Sequence, residues 1–341
     1  MTSAEFLPCC PTATLAAADI VVPAFWARNE KTGERYVDFF TSNIRNPHTR
    51  RAYGQAATQF AAFCAQRGVS DFRHVKPIHV AAYVEQLVAT HAKPTVKQHL
   101  AALRMLFDWL VMGQAIEINP AHAVRGPKHS VKKGKTPVLT TDEARMLLDS
   151  IEILRTLKQA DGLEKVEPLF IGLRDRALIG LMIYTFARVG AAVQMRVEDV
   201  YMQGRRLWVR LHEKGGKEHE MPAHHNLEAY LAEYIEGTAI QDDLKGPLFR
   251  TIDASTGVLT AQAMDQSAVY YMIRRRAKAA GIKTKIGCHT FRATGITAYL
   301  KNGGRLEVAQ QMANHESSRT TGLYDRREDE VSLAEVERIA I

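Results

Sequence analysis

The stretch RLWVRLHEKGGKEHEMP, residues 206–222, decides the fold class. Residues 206–212 alternate between polar and apolar side chains, which is typical of a half-buried β-strand. Gly215 and Gly216 supply a turn, and residues 217–222 are predicted to form the returning strand. Because the sequence on both sides of this hairpin has helical periodicity, we expect a mainly α protein with a small β-hairpin or sheet, an α+β fold.

Helices are predicted around this hairpin. Thr140 and Glu143 have the spacing of a capped helix start. Residues 173–186 are apolar on almost every side and are expected to form a buried helix. Further helices are predicted at about 262–280, 289–301, 306–312, 318–326 and 333–341.

The first third of the chain is also predicted to be helical. Residues 32–124 show helical periodicity without a strand pattern, and the pair Asn46-Pro47 is a plausible helix start. Short helices joined by short loops indicate a small all-α bundle. Residues 126–137 contain Gly and Pro breakers and four lysines, as a basic hinge would. The predicted organisation is an N-terminal extension, flexible or loosely docked, at 1–30, an all-α domain at 31–125, a basic linker at 126–138 and a mixed domain at 139–341.

Composition indicates two domains and an anionic partner. A chain of 341 residues is too long for one ordinary core. The formal net charge of +8 favours nucleic acid or an acidic membrane surface. The N-terminus lacks the basic segment of a secretory signal, and its apolar stretch is too short to cross a bilayer. The spacing of the four cysteines makes no metal pair, and no secretory signal precedes them; they are Cys9, Cys10, Cys64 and Cys288. We therefore expect reduced thiols in a cytoplasmic protein without a membrane role.

Residues of the second domain fit chemistry on a phosphodiester without a metal. Such chemistry needs cations at the non-bridging oxygens, an in-line nucleophile and an acid for the leaving oxygen. His289 and Arg292 lie at i and i+3 on one predicted helix face. Tyr324 follows His315 by nine residues, about two and a half turns into the next predicted helix. Arg188 directly follows the apolar helix, so it must reach solvent or a specific anion.

Taken together, these residues resemble the signature of the tyrosine recombinase, or phage integrase, family. That signature is an Arg, a Lys on a β-hairpin, His-x-x-Arg, a His or Trp, and a Tyr. The matching residues are, in order, Arg188, Lys214, His289, Arg292, His315 and Tyr324. The resemblance covers about residues 32–341 and implies an all-α core-binding domain and a mixed catalytic domain that form a clamp around DNA. It also implies DNA cleavage and religation through a 3′-phosphotyrosine, without a metal or a cofactor.

The resemblance assigns a role to each residue of the set. Tyr324 would attack the scissile phosphate, and His289 would exchange protons with it. Arg188 and Arg292 would donate to the non-bridging oxygens in the transition state, and His315 would hydrogen-bond the phosphate. Taken alone, Tyr324 also fits a half-buried tyrosine of a helix, so its assignment depends on the whole set.

The hairpin is expected to carry the general acid. Lys214 matches the family position and would protonate the departing 5′-oxygen. Lys217 on the same hairpin is an open alternative, and Lys214 also fits a solvated hairpin tip. The hairpin departs from the family pattern at Glu213, where Gly is frequent, and at His219, where Arg is frequent.

A further departure lies in the helix that begins after Arg188. The family usually has an acidic residue three positions after this arginine, and Ala191 stands there instead. That acid is usually thought to orient its surroundings, so the predicted activity is kept. Glu198 and Asp199 are candidates for a substitute carboxylate.

Basic residues outside the site are candidates for DNA contacts, although a solvated surface is an alternative for those of the first domain. They are Lys93, Lys97, His99, Arg104, Lys132 and Lys133. The resemblance implies double-stranded DNA with inverted half-sites as the partner, a homotetramer in the synapse, and a monomer or dimer when free. In the family the C-terminal tail packs into the neighbouring protomer, and Leu333, Val336 and Ala340 would share one face of such a helix.

Two other functions stay open on the sequence. A catalytically silent DNA-binding module would keep this fold, although every catalytic residue type is present. A metal-dependent nuclease would need a clustered carboxylate set, which the sequence does not suggest. His224 and His225 have no ligand spacing to Asp or Glu, so they are interpreted as polar surface.

Overall fold

The chain divides into two structural units between Ser130 and Val131, inside the stretch expected to be the linker. The computed structural model describes residues 22–131, 134–158, 163–213, 216–326 and 337–339. Each unit has a buried apolar core of its own. The helix predicted at 333–341 falls largely outside the described residues.

The first unit is helical, as the sequence predicts. α2 begins at Pro47 because the side chain of Asn46 accepts hydrogen bonds from the backbone N–H groups of His48 and Thr49. Proline suits the first helical position because its missing N–H would have no partner there. The elements are α1 (Glu30–Asp38) with a following π-helical turn (Phe39–Asn43), α2 (Pro47–Ala65), a 3₁₀ turn (Phe72–His74), α3 (Pro77–Thr90) and α4 (Lys93–Met112).

Trp26 corrects the expected boundary of the N-terminal extension. Its side chain is completely buried, and its indole N–H donates to the carbonyl of Ala57 over 3.2 Å. The ring stacks on Tyr36 and packs against Phe107 from α4. The prediction of a loosely docked extension up to residue 30 is therefore wrong at this residue, while residues 1–21 lie outside the described part of the chain. A single aromatic anchor has no repeat, so periodicity does not reveal it.

In its described residues the second unit has helices and three small antiparallel sheets. Its helices are α5 (Thr141–Asp149), α6 (Phe170–Tyr184), α7 (Val189–Gln194), α8 (His225–Gly237), α9 (Gln266–Ala279), α10 (Cys288–Lys301), α11 (Leu306–Met312) and α12 (Ser318–Gly322). Its strands are β1 (Leu154–Lys158), β2 (Glu164–Pro168), β3 (Val200–Gln203), β4 (Arg206–Glu213), β5 (Lys217–Pro222), β6 (Arg250–Ile252) and β7 (Leu259–Ala263). The predicted mainly α fold with small sheets is confirmed.

The decisive hairpin is present, and the sheet around it is larger than expected. β4 pairs antiparallel with β5 from Trp208–Pro222 at one end to Glu213–Lys217 at the turn. β3 adds a third strand on the other side of β4. The pairs β1–β2 and β6–β7 were not predicted, and β7 ends only at Ala263, so α9 begins later than the predicted residue 262.

α10 lies close against α6, and a glycine makes this possible. A Cβ on Gly295 would stand 2.1 Å from the carbonyl oxygen of Ile183 and 2.7 Å from the ring of Phe186. Any side chain there would force the two helices apart. In the same region Arg292 of α10 donates to the carbonyl of Phe186, in the loop that follows α6.

Candidate active site

Tyr324 lies in a turn directly after α12, and its hydroxyl meets a histidine. The hydroxyl oxygen is 2.6 Å from Nε2 of His289, on the first turn of α10. The tyrosine is only 7% exposed, and its carbonyl accepts a hydrogen bond from the hydroxyl of Thr297 over 3.0 Å. α12 ends at Gly322, so the prediction that Tyr324 lies two and a half turns inside a helix is wrong. Tyr324 is nevertheless held at two points, its backbone carbonyl and its hydroxyl.

Arg292 is buried one turn after His289. It is 1% exposed, and its two terminal nitrogens donate to the carbonyl oxygens of Phe186 and Ala313. The third guanidinium nitrogen, Nε, is buried without a hydrogen-bond partner among the described residues. The two carbonyls are neutral and do not compensate the positive charge of this buried guanidinium, so the site attracts an anion.

Backbone strain lies at one of the two carbonyls that hold Arg292. Phe186 has a φ of 56°, a value that bulky residues rarely adopt and that concentrates at functional sites. Asn314, which follows Ala313, has a φ of 46°, but asparagine is common at this position after a helix end. The turn at Phe186 therefore places its carbonyl at a conformational cost.

Arg188 precedes α7 as its N-cap and forms an ion pair across the unit. Its Nη1 lies 2.5 Å from Oε2 of Glu213, the last residue of β4. The arginine side chain is 41% exposed, whereas the glutamate side chain is 4% exposed. These two residues line a cavity of about 310 Å³ together with Lys217, Asn314, His315, Glu316 and Thr320.

His315 stacks on the nucleophile candidate and has one ring nitrogen fixed. Its ring is nearly parallel to that of Tyr324, at 7° and with 5.9 Å between the centroids. Its Nδ1 lies 2.9 Å from the hydroxyl of the buried Thr321. The structure thus brings together His289, Arg292, His315 and Tyr324, with Arg188 at the same cavity as His315.

The charges of the site are tuned by burial and by the two arginines. Burial, followed by the charge of Arg188, lowers the pKa of Arg292 to about 10, which leaves it protonated at neutral pH. Burial and the arginines lower the pKa of His315 to about 3. They also lower the pKa of His289, so both histidines are neutral at pH 7. Burial raises the pKa of Tyr324, and the arginine charges oppose that rise.

The hairpin carries two lysines, Lys214 and Lys217. Lys214 lies outside the described residues. Lys217 is exposed, and its Nζ lies 3.3 Å from the carboxylate of Glu316. The suggested substitute carboxylates face other partners: Glu198 pairs with Lys245 at 2.7 Å, and Asp199 accepts from His212 at 3.0 Å. The carboxylate beside Arg188 comes instead from Glu213, which the sequence marked only as a departure.

Two of the predicted DNA contacts have structural roles. His99 is 7% exposed, and its Nδ1 lies 3.0 Å from the hydroxyl of Tyr83, so it is a core histidine and not a surface cation. The guanidinium of Arg104 donates to the carbonyls of Ala121 and Val124. Lys93 and Lys97 are exposed on α4, as a phosphate contact requires. Lys132 and Lys133 lie outside the described residues.

A basic surface on α9 and the following loop was not predicted. It surrounds an open cavity of about 900 Å³, and its cations are Arg274, Arg275, Lys278, Lys283 and Lys285. All five residues are exposed. The run RRRAK at 274–278 is the signal that sequence reasoning passed over.

Neither a membrane-spanning helix nor a metal-binding cluster occurs in the described residues. No helix there is long and apolar enough to cross a membrane. In the same residues no group of three His, Cys, Asp or Glu side chains could hold a metal ion. Cys64 is buried, Cys288 is partly buried, and both are free thiols.

Two family models match the chain: the phage integrase family over residues 138–330 and the phage integrase N-terminal SAM-like domain over residues 34–114. The chain is 27% identical over 297 residues to tyrosine recombinase XerC of Thermodesulfovibrio yellowstonii, covering 85% of this chain and 90% of that protein. It is 28% identical over 291 residues to XerD of Mycobacterium leprae, covering 81% and 86%.

Solved structures share the fold. A post-cleavage complex of the XerH site-specific recombinase with a palindromic difH substrate has a TM-score of 0.63 and 16% identity, covering 93% of this chain and 90% of that one. A lambda integrase tetramer bound to a Holliday junction has a TM-score of 0.60 and 18% identity, covering 88% and 79%.

Proposed function

Because the chain belongs to the phage integrase family of tyrosine recombinases, enzymes that cleave and rejoin DNA, we propose that Tyr324 is its nucleophile. The observation that carries this proposal is the 2.6 Å contact between the Tyr324 hydroxyl and Nε2 of His289. A tyrosine attacks poorly until a base takes its proton, and a neutral histidine at this distance can do so. The lowered pKa of His289 supports the neutral form.

The reaction exchanges one phosphoester for another. The Tyr324 oxygen bonds to phosphorus while its proton moves to His289, and the bond from phosphorus to the 5′-oxygen breaks. The departing oxygen needs a proton, and Lys214 is our candidate for its donor, with Lys217 as the alternative. The products are a 3′-phosphotyrosine and a free 5′-hydroxyl. Because a phosphoester is conserved, the reverse attack by a 5′-hydroxyl rejoins the strand without ATP.

We propose that Arg188 and Arg292 stabilise the charge that develops on the non-bridging oxygens. This proposal is supported by the presence of two cations at the site, the buried and fixed Arg292 and the more exposed Arg188. His315 would donate from Nε2, which requires that Nδ1 is unprotonated and accepts from the hydroxyl of Thr321. Its low pKa is consistent with a neutral ring in which only one nitrogen carries hydrogen.

We propose that DNA contacts both units of the chain. Residues 31–125 would form the core-binding domain and residues 139–341 the catalytic domain, and each would contact the DNA. On the second unit, the exposed cations of α9 and its following loop are the best placed to neutralise phosphates. Each phosphate contact contributes about −0.9 to the slope of log affinity against log salt. The double variant Lys278→Ala/Lys283→Ala should make the negative slope shallower by about 1.8, whereas Lys245→Ala, which breaks only an exposed ion pair, should leave it unchanged.

The assembly follows from the same proposal. A protein that binds two inverted half-sites must place two copies on one duplex, and exchange between two duplexes needs four copies. The lambda integrase neighbour is a tetramer on a Holliday junction. We propose a homotetramer in the synapse, a monomer or dimer in the free state, and a cytoplasmic location.

The decisive experiment looks for a covalent protein–DNA link. Labelled duplexes from the DNA flanking the gene, chosen for inverted half-sites around a short spacer, are incubated with the enzyme in EDTA or in Mg²⁺ and then denatured. We expect label that migrates with the protein in both buffers and is released by protease. Free ends that form only with Mg²⁺ would indicate a nuclease instead. Binding without either product would indicate a silent DNA-binding module.

A further inference from the structure

We propose that Glu213 is a positioning residue that holds the guanidinium of Arg188 in the active site. The inference rests on the proposed function, since it gives Arg188 a role at the scissile phosphate. The carboxylate comes from the end of β4, and the arginine precedes α7, so the pair joins two elements 25 residues apart. No other acidic side chain in the described part of the chain forms an ion pair with Arg188.

The two side chains of the pair differ in burial, and this difference shows that Glu213 holds Arg188 in place and not the reverse. The Glu213 side chain is 4% exposed, and its backbone is held in the β4–β5 ladder opposite Lys217. The Arg188 side chain is 41% exposed and stands at the N-cap of a six-residue helix. Packing restricts the buried Glu213 side chain to few rotamers, whereas the half-exposed Arg188 side chain has many rotamers available. The 2.5 Å contact therefore fixes the arginine more than the glutamate.

The carboxylate also lies among the other charges of the site. Its charge raises the pKa of Arg292, against burial and against the charge of Arg188, which both lower it. It acts in the same direction on His219, where burial has the largest effect and lowers the pKa. Glu213 thus offsets the repulsion between two arginines that must stay close before any phosphate is present.

No other carboxylate among the described residues takes the place of Glu213 beside Arg188. Residue 191, where the family usually has an acid, is an alanine here and contributes a buried methyl group without charge. Glu316 lines the same cavity, but its side chain is 89% exposed and pairs with Lys217. The buried partner of Arg188 is therefore supplied by the hairpin.

The pairing leaves the arginine free to bind phosphate. A guanidinium has five N–H donors, and the contact with Glu213 uses the Nη1 end. Glu213 is also the residue before Lys214, the candidate acid. One carboxylate thus ties Arg188 to β4, which precedes Lys214 in the sequence.

The test compares Glu213→Gln with Glu220→Gln under single-turnover conditions at saturating DNA. Glu220 is a matched control, since it lies on β5 of the same hairpin and pairs with Arg210 at 2.7 Å, away from the cavity. We expect Glu213→Gln to form the covalent adduct about 10- to 100-fold more slowly, as small misplacements of a catalytic group do. Its DNA affinity should stay near that of the wild type. Glu220→Gln should match the wild-type rate.

A second comparison separates positioning from general damage. If Glu213 acts through Arg188, the double variant Arg188→Ala/Glu213→Gln should be no slower than Arg188→Ala alone. Glu213→Asp keeps the charge and should recover part of the rate. Equal adduct rates in wild type and Glu213→Gln, additive losses in the double variant, or no recovery with Asp would each overturn the inference. If the wild-type enzyme forms no adduct at all, the proposed function itself fails.

Discussion

Tyr324→Phe removes one oxygen from the site and leaves its architecture in place. The lost hydroxyl contacts Nε2 of His289 at 2.6 Å. A typical hydrogen bond contributes about 0.5–1.5 kcal/mol net to stability. For a unit of this size, 1 kcal/mol corresponds to about 2–4 °C in Tm. The phenyl ring keeps its packing on His315, so we expect a fall of only a few degrees.

The effect on catalysis should be total, and the effect on binding small. Without the hydroxyl no phosphotyrosine can form, so the adduct should fall below detection. No phosphate-binding cation changes, so the DNA affinity should stay within about twofold. The assay measures adduct on denaturing gels, Kd by gel shift and Tm by calorimetry on the same preparation.

Tyr299→Phe is the matched control for this experiment. Tyr299 is the other tyrosine of the cluster around Tyr324, and it packs edge-on against Phe186 with 6.2 Å between the ring centroids. Its Phe variant should cleave like the wild type. If Tyr324→Phe still forms the adduct, the nucleophile lies elsewhere and Tyr299 is the first residue to test.

Three further outcomes follow from the same geometry. Arg188→Ala and Arg292→Ala should each slow cleavage about 100- to 1,000-fold, with a smaller loss of affinity, because their donors act on charge that develops in the transition state; equal losses in rate and affinity would make them ordinary phosphate anchors. Lys214→Ala should be rescued by DNA with sulfur at the bridging 5′ position, since a thiolate leaves without a proton; rescue of Lys217→Ala instead would assign the acid to Lys217. Because the pKa of His289 is lowered, its neutral form, which is the base, persists below pH values of about 6.5, the usual pKa of a histidine. The cleavage rate should therefore not fall on acidification to about pH 6.5. A rate that already falls at about pH 7 would contradict this.

Local patterns were enough to predict the scaffold of the site. Alternation and the Gly-Gly turn predicted β4 and β5, and a stretch that is apolar on almost every side predicted α6. Of the residues named from the family order, His289, Arg292 and His315 lie around Tyr324. These features depend on neighbours in the sequence, which is why they are visible without coordinates.

Features that depend on distant contacts could not be predicted in this way. The partner of Arg188 lies 25 residues along the chain, and the sequence showed only that the arginine needed solvent or an anion. His99 is a different case, because it continues the spacing of Val96 and Leu103 on the buried face of α4 and could have been recognised.

The site and the local core share the same side chains, which explains how the donors are fixed. Tyr324 belongs to a buried cluster with Phe186, and Gly295 allows α10 to approach that cluster. One carbonyl that holds Arg292 belongs to Phe186, and the positive φ of this bulky residue costs about 1–3 kcal/mol. A fold keeps that strain only where surrounding packing outweighs it. Since the guanidinium is already oriented before DNA binds, little reorganisation would remain for the transition state that we propose, and fixed donors accelerate phosphoryl transfer most under this condition.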